Sequence, residues 1–165
     1  MTVSVLFVCL GNICRSPTAH GVFDAMLEQQ GLADVISVDS AATSDWNIGR
    51  SPDPRTQAAA RLRGYDLSHI RARQVRAEDF QRFDYILAMD NSNLANLQRL
   101  QPADFSGQLA LFLRYADLPQ QEVPDPYHGD DDGFDAVLDM VEQGAAGLLA
   151  HLRQDLVRRK RRRQG

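Results

Sequence analysis

Val8-Cys9-Leu10-Gly11-Asn12-Ile13-Cys14-Arg15-Ser16-Pro17 follows on from an apolar run, Val3-Ser4-Val5-Leu6-Phe7-Val8, and opens a helical pattern. The run reads as a strand buried on both faces of a parallel sheet. Ala19, Val22, Phe23, Met26 and Leu27 then recur at helical spacing, with Gly31 as the stop. Ser16 reads as the N-cap and Pro17 as the first helical residue, so the helix turns its free N–H groups toward the loop. Gly11 and Asn12 tolerate positive φ, which lets the amides from Leu10 to Arg15 converge on one anion. Cys9 supplies a thiol, and a helix N-terminus and a nearby cation are the features that favour its thiolate. Arg15 offers a planar fork that fits two oxygens of a tetrahedral oxyanion. The stretch predicts a phosphate site with Cys9 as nucleophile and Arg15 as clamp.

Competing uses of these residues fit less well. A cysteine after a strand is often only a small buried apolar residue, and that reading also suits Cys14, packed behind the loop. Two cysteines cannot build a four-ligand zinc site without distant partners. Neither a Walker sequence nor a dinucleotide glycine fingerprint is present. No metal and no cofactor are expected.

The 165 residues, 44% of them hydrophobic, suffice for one domain with its own core. Its expected extent is 1–157, followed by a basic tail at 158–165. Arg158 to Arg163 are all cationic within a chain of net charge −4, which leaves the body markedly acidic. That argues against nucleic-acid binding by the body. The tail reads as a solvated helix end, or as a weak contact for an anionic surface. No stretch has the length of an integral membrane segment, and two cysteines suit the reducing cytoplasm.

Further strands are expected at Val35–Asp39, Asp84–Met89 and Leu109–Leu113. Asp53-Pro54 starts a helix presenting Ala58, Ala59 and Leu62, ended by Gly64. Asp90 caps another helix, and Phe134 begins a long one. Between them lie two polar loops, one with the only tryptophan, Trp46, and one with Pro124-Asp125-Pro126-Tyr127-His128. Trp46 fits either a core or a pocket wall.

The string Cys9-Leu10-Gly11-Asn12-Ile13-Cys14-Arg15-Ser16 resembles the signature loop of the low-molecular-weight protein tyrosine phosphatases. The likeness extends over nearly the whole chain. It implies an α/β fold: a four-stranded parallel sheet flanked by helices on both faces, with the phosphate-binding loop after the first strand. It implies that Trp46 lines a substrate cleft, that Ser40 holds Asn12, that His69 supports the loop from behind, and that Asp90 orients Arg15 as well as capping its helix. On spacing alone Asp117, Asp125, Asp130, Asp131 and Asp132 compete as proton donor; the Asp-Pro-Tyr likeness selects Asp125, whose carboxyl would need partial burial and a nearby phosphoryl dianion.

The implied activity is hydrolysis of phosphotyrosine in proteins through a cysteinyl-phosphate, without metal. Ser16 would stabilise the departing thiolate, and Ile13, Trp46 and Tyr127 would form an apolar slot with His128 at its rim. His128 stands where eukaryotic members often carry a second aromatic. Three alternatives share the loop. Arginine-phosphate phosphatases tend to carry threonine at the position of Ile13. A thiol-coupled arsenate reductase would need an external thiol, since a three-cysteine relay is impossible with Cys9 and Cys14 alone. The last is a phosphate-binding module without turnover.

Overall fold

The computed structural model describes residues 2–164. Strands β1 (Val3–Cys9), β2 (Ile36–Ala42), β3 (Tyr85–Ala88) and β4 (Gln108–Leu111) form one parallel sheet in the order β2-β1-β3-β4. Helices α1 (Arg15–Gln29), α2 (Pro54–Leu62), α3 (Asp79–Arg82), α4 (Asn91–Leu100) and α5 (Asp132–Gln164) connect and cover it.

The expected architecture is therefore present, and its physical basis is the alternation along β1. Val3, Val5 and Phe7 point to one face, where α1 and α5 pack; Leu6 and Val8 point to the other, against Phe80 of α3 and Leu97 of α4. Phe7 anchors the first layer through edge-on contacts with Phe23 at 5.9 Å and Phe112 at 5.1 Å. Strand register aligns Cys9 with Ala42 and Val8 with Ala88, so the C-terminal strand ends form one edge and the phosphate loop lies along it.

Several boundaries differ from expectation. β2 runs on to Ala42, because pairing with β1 continues to Cys9 and Ala42 also bridges Gln74. β4 stops at Leu111, and Phe112–Tyr115 form a 3-10 turn that buries Phe112 and Leu113 under α5. On α2 the buried pair is Thr56 and Ala60; Leu62 is 88% exposed. The cationic run from Arg158 is not a separate tail but the last turns of α5. Arg159 there pairs with Asp155 at 3.2 Å and with Asp84 at 3.4 Å. Gly165 lies outside the described residues.

α5 approaches the 3-10 turn closely at Gly147, where a Cβ would collide with the Tyr115 carbonyl oxygen. Helix propensity alone favours Gly147→Ala by about 1 kcal/mol. The backbone clash should reverse that sign and cost about 1–3 kcal/mol, as overpacking does. Urea unfolding of the variant distinguishes the two outcomes.

Candidate active site

The loop from Cys9 to Ser16 is held by its carbonyls. Thr43 N donates to Cys9 O at 2.9 Å, Asp53 N to Ile13 O at 2.9 Å, and Thr18 N and Oγ1 to Cys14 O at 3.3 and 2.7 Å. Leu10 O accepts from Ser44 N at 3.1 Å and Ser44 Oγ at 2.7 Å, and Gly11 O from Asn47 Nδ2 at 3.2 Å. With these carbonyls turned to the scaffold, loop N–H groups are free to face the hollow. Two close on the thiol: Asn12 N and Ser16 N donate to Cys9 Sγ at 3.3 and 3.4 Å.

Only Asn12 of the two flexible residues has positive φ, 56°. Gly11 matters for a different reason: a Cβ there would sit 2.7 Å from Asn47 Nδ2 and displace the side chain that bonds Gly11 O. Buried Asn12 donates to Ser16 Oγ at 2.7 Å and accepts from Arg73 N at 3.2 Å. Arg73 is itself fixed by Asp79 and Asp39 at 3.0 and 3.1 Å. Ser16 does not cap α1. The helix begins two residues earlier than expected, with Cys14 at the cap position and no side-chain cap bond, because Cys14 O already accepts the first helical N–H. Ser16 Oγ is thereby released to lie 3.0 Å from Cys9 Sγ.

Arg15 is 2% exposed. Its Nη1 donates to Asp90 Oδ2 at 2.6 Å and to Val123 O at 3.0 Å, while Nη2 lies 3.8 Å from Asp125 Oδ2. Burial works against its charge, but Cys9, Asp90 and Asp125 outweigh that and raise its pKa. Asp90 also accepts from Asn93 N at 2.8 Å, so one carboxylate caps α4 and aims Arg15.

Cys9, Leu10, Gly11, Ile13, Cys14 and Arg15 line a cavity of about 180 Å³, together with Trp46, Asn47, Asp125, Tyr127 and His128. Trp46 is 69% exposed and lines this cavity, so it is not a core residue. Tyr127 and His128 meet edge-on at 4.9 Å on the other side. Asp125 accepts from Tyr127 N at 3.1 Å, and its side chain is 40% exposed, so the fold supplies little of the burial expected for it. Among the described residues, no cluster of His, Cys, Asp and Glu could hold a metal ion.

Two expected supports are elsewhere. Ser40 Oγ lies 2.9 Å from His20 Nδ1, and Asn12 is held by Ser16 and Arg73 instead. His69 is exposed and, among the described residues, makes no hydrogen bond to the loop, whereas the backbone N–H of Arg73 bonds Asn12 there. Reasoning from sequence missed Ser44, Asn47, Asp53, Arg55 and Arg73 as site builders. Asn47 and Asp53 stood within segments already singled out, but their targets are loop carbonyls, which carry no sequence signal.

The family model of the low molecular weight phosphotyrosine protein phosphatases matches residues 4–159. A protein of that description from Sus scrofa is 44% identical over 155 residues, covering 93% of this chain and 98% of its own. The crystal structure of a protein tyrosine phosphatase from Entamoeba histolytica, with Hepes in its active site, superposes with a TM-score of 0.88. It is 35% identical and covers 93% of this chain and 99% of that one. A Drosophila arginine phosphatase gives a TM-score of 0.84 at 33% identity, over 90% of this chain and 96% of its own.

Burial pushes the Cys14 thiol from 9.0 up to about 12. A folded chain that keeps this proton while the unfolded one releases it loses stability as pH rises above 9.0. Unfolding in urea at about pH 8 and about pH 10 should show that loss, and Cys14→Ala should make it smaller.

Proposed function

The chain belongs to the low molecular weight phosphotyrosine protein phosphatase family, and on that footing we propose that it hydrolyses phosphotyrosine in proteins through a cysteinyl-phosphate. The observation that carries the reading is the convergence on Cys9 Sγ of two N–H groups and the Ser16 hydroxyl, beside a buried, doubly anchored Arg15.

In the first step the Cys9 thiolate attacks phosphorus, the S–P bond forms and the P–O ester bond breaks. Asp125 gives its proton to the departing tyrosyl oxygen. In the second, water attacks phosphorus, Asp125 takes a proton from it, and the S–P bond breaks to release phosphate and the thiolate. Charge on the equatorial oxygens of the loose transition state meets Arg15 and the amides from Leu10 to Arg15. The Ser16 hydroxyl and the Asn12 N–H are placed to hydrogen-bond the sulfur as it departs from phosphorus. No metal or cofactor is required by this chemistry.

Ile13, Trp46 and Tyr127 suit an aromatic ring and favour a tyrosyl over a guanidino group. The likeness to an arginine phosphatase makes phosphoarginine the comparison substrate. Among the described residues no helix is long and apolar enough to cross a membrane, and two free thiols are consistent with a place in the cytoplasm.

The test is steady-state turnover of an aryl phosphate and a phosphoarginine compound side by side, in chelator. Aryl phosphate should be preferred and Cys9→Ser inactive. Asp125→Asn should slow phosphotyrosine by about 10² or more, with much smaller losses on esters of acidic phenols. Preference for phosphoarginine replaces the substrate, and turnover of arsenate with an added thiol replaces the reaction. Absence of all three leaves a binding module.

The exposed cations Arg158 and Lys160 to Arg163 extend from the sheet end opposite the cleft, and we propose for them a weak contact with anionic surfaces. Vesicles containing anionic lipid should bind the chain more weakly as salt rises, and truncation after Val157 should abolish binding. Binding that survives truncation removes the contact.

A further inference from the structure

Residues 124–129 carry Asp125, Tyr127 and His128. The segment is held firmly just before it begins: Val123 N donates to Met89 O at 2.8 Å, and Val123 O accepts from Arg15. Within it the bonds are local, from Tyr127 N to Asp125 Oδ1 and from Gly129 N to Pro126 O. Among the described residues, one hydrogen bond reaches it from the body of the protein. That bond is donated by Arg55 Nη2 to Tyr127 O at 3.0 Å.

Arg55 is well placed to hold a loop. Its Nη2 and Nε also donate to Asp53 Oδ2 and Oδ1 at 2.9 and 3.1 Å. Its guanidinium carbon lies 5.4 Å from the Tyr127 ring centroid and 4.8 Å from that of Phe134, at the start of α5. Asp53 caps α2 through Arg55 N at 2.8 Å, and Asp53 N donates to Ile13 O at 2.9 Å. An unbroken relay therefore runs from the phosphate loop through Asp53 and Arg55 to Tyr127, two residues from Asp125. Arg55 itself does not line the cavity.

We propose that Arg55 is a positioning residue that holds the 124–129 segment, and with it the Asp125 carboxyl, in register with the Cys9–Arg15 loop. This rests on the reading of Asp125 as proton donor. The task needs arginine. One planar, permanently charged group serves Asp53, the Tyr127 carbonyl and two aromatic faces, whereas a lysine ammonium has no fork for the carboxylate and no plane to stack. Misplacement by about 1 Å can cost 10²-fold in rate, and the loss should fall on the step that needs the proton.

Arg55→Met keeps an apolar stem and removes the fork. Turnover of phosphotyrosine should fall by about 10–100-fold, and that of an ester with a strongly acidic phenol by no more than about threefold. Arg55→Lys should lie between. Because Arg55→Met leaves the Asp53 carboxylate unpaired, the double variant Asp53→Ser/Arg55→Met is included. It keeps a helix cap and should show the same leaving-group dependence. Hydrogen exchange supplies the second readout: the amides of Tyr127, His128 and Gly129 should exchange faster in both variants. Equal losses across the leaving-group series, or unchanged exchange, overturn the proposal. A wild-type chain with no aryl phosphate turnover overturns the proposed function instead, and the exchange data still decide whether Arg55 holds the loop.

Discussion

The phosphate loop depends on where its carbonyls point. A peptide unit carries its N–H and C=O on opposite sides, so a carbonyl turned outward aims the next amide inward. Thr43, Ser44, Asn47 and Asp53 each take one of these carbonyls, and all four lie in the chain between the end of β2 and the start of α2. The seventh register pair of β1 and β2 is thus also the first brace of the site, since Cys9 pairs with Ala42 and Thr43 then bonds Cys9 O. A tetrahedral oxyanion meets amides already oriented for it, and little reorganisation remains when charge develops.

Charge is the second constraint. Arg15 is almost wholly buried, and a buried cation is costly unless paired and hydrogen-bonded. Asp90 and Val123 O satisfy one end of the guanidinium. Among the described residues the other end has only Asp125, at 3.8 Å, which is too long for a hydrogen bond. The fork thus faces the cavity with donors to spare. An anion seated there relieves the unpaired end of Arg15 and contributes to fold stability by mass action.

Around this rigid floor the walls are looser. Trp46 stands largely in solvent, Tyr127 is partly exposed, and the segment with Tyr127 and Asp125 takes few bonds from the body. Such a division is physically consistent. The floor stabilises the same phosphoryl geometry whatever the ester, while the walls meet the part of the substrate that varies. Loops on a fixed scaffold commonly carry that second task.

The sequence by itself determined the frame of this protein. The continuous apolar run of β1, the helical recurrence from Ala19 to Leu27 and the Cys-x5-Arg spacing each act over a few neighbouring positions, where local sterics and periodicity suffice. Asp90 as cap and Asp53-Pro54 as helix start were legible for the same reason. Tertiary structure alone decided the braces. Asn12 turns to Ser16 and Arg73 rather than to Ser40, and His69 points to solvent. Ser16 gives up a capping role that its residue type suggested, because Cys14 O starts the helix two residues sooner. Arg55 finds Tyr127 across 72 residues of chain. Those choices depend on which polar groups the packed sheet brings within 3 Å or so of a loop carbonyl, and hydrogen bonds between distant segments leave no period in the sequence.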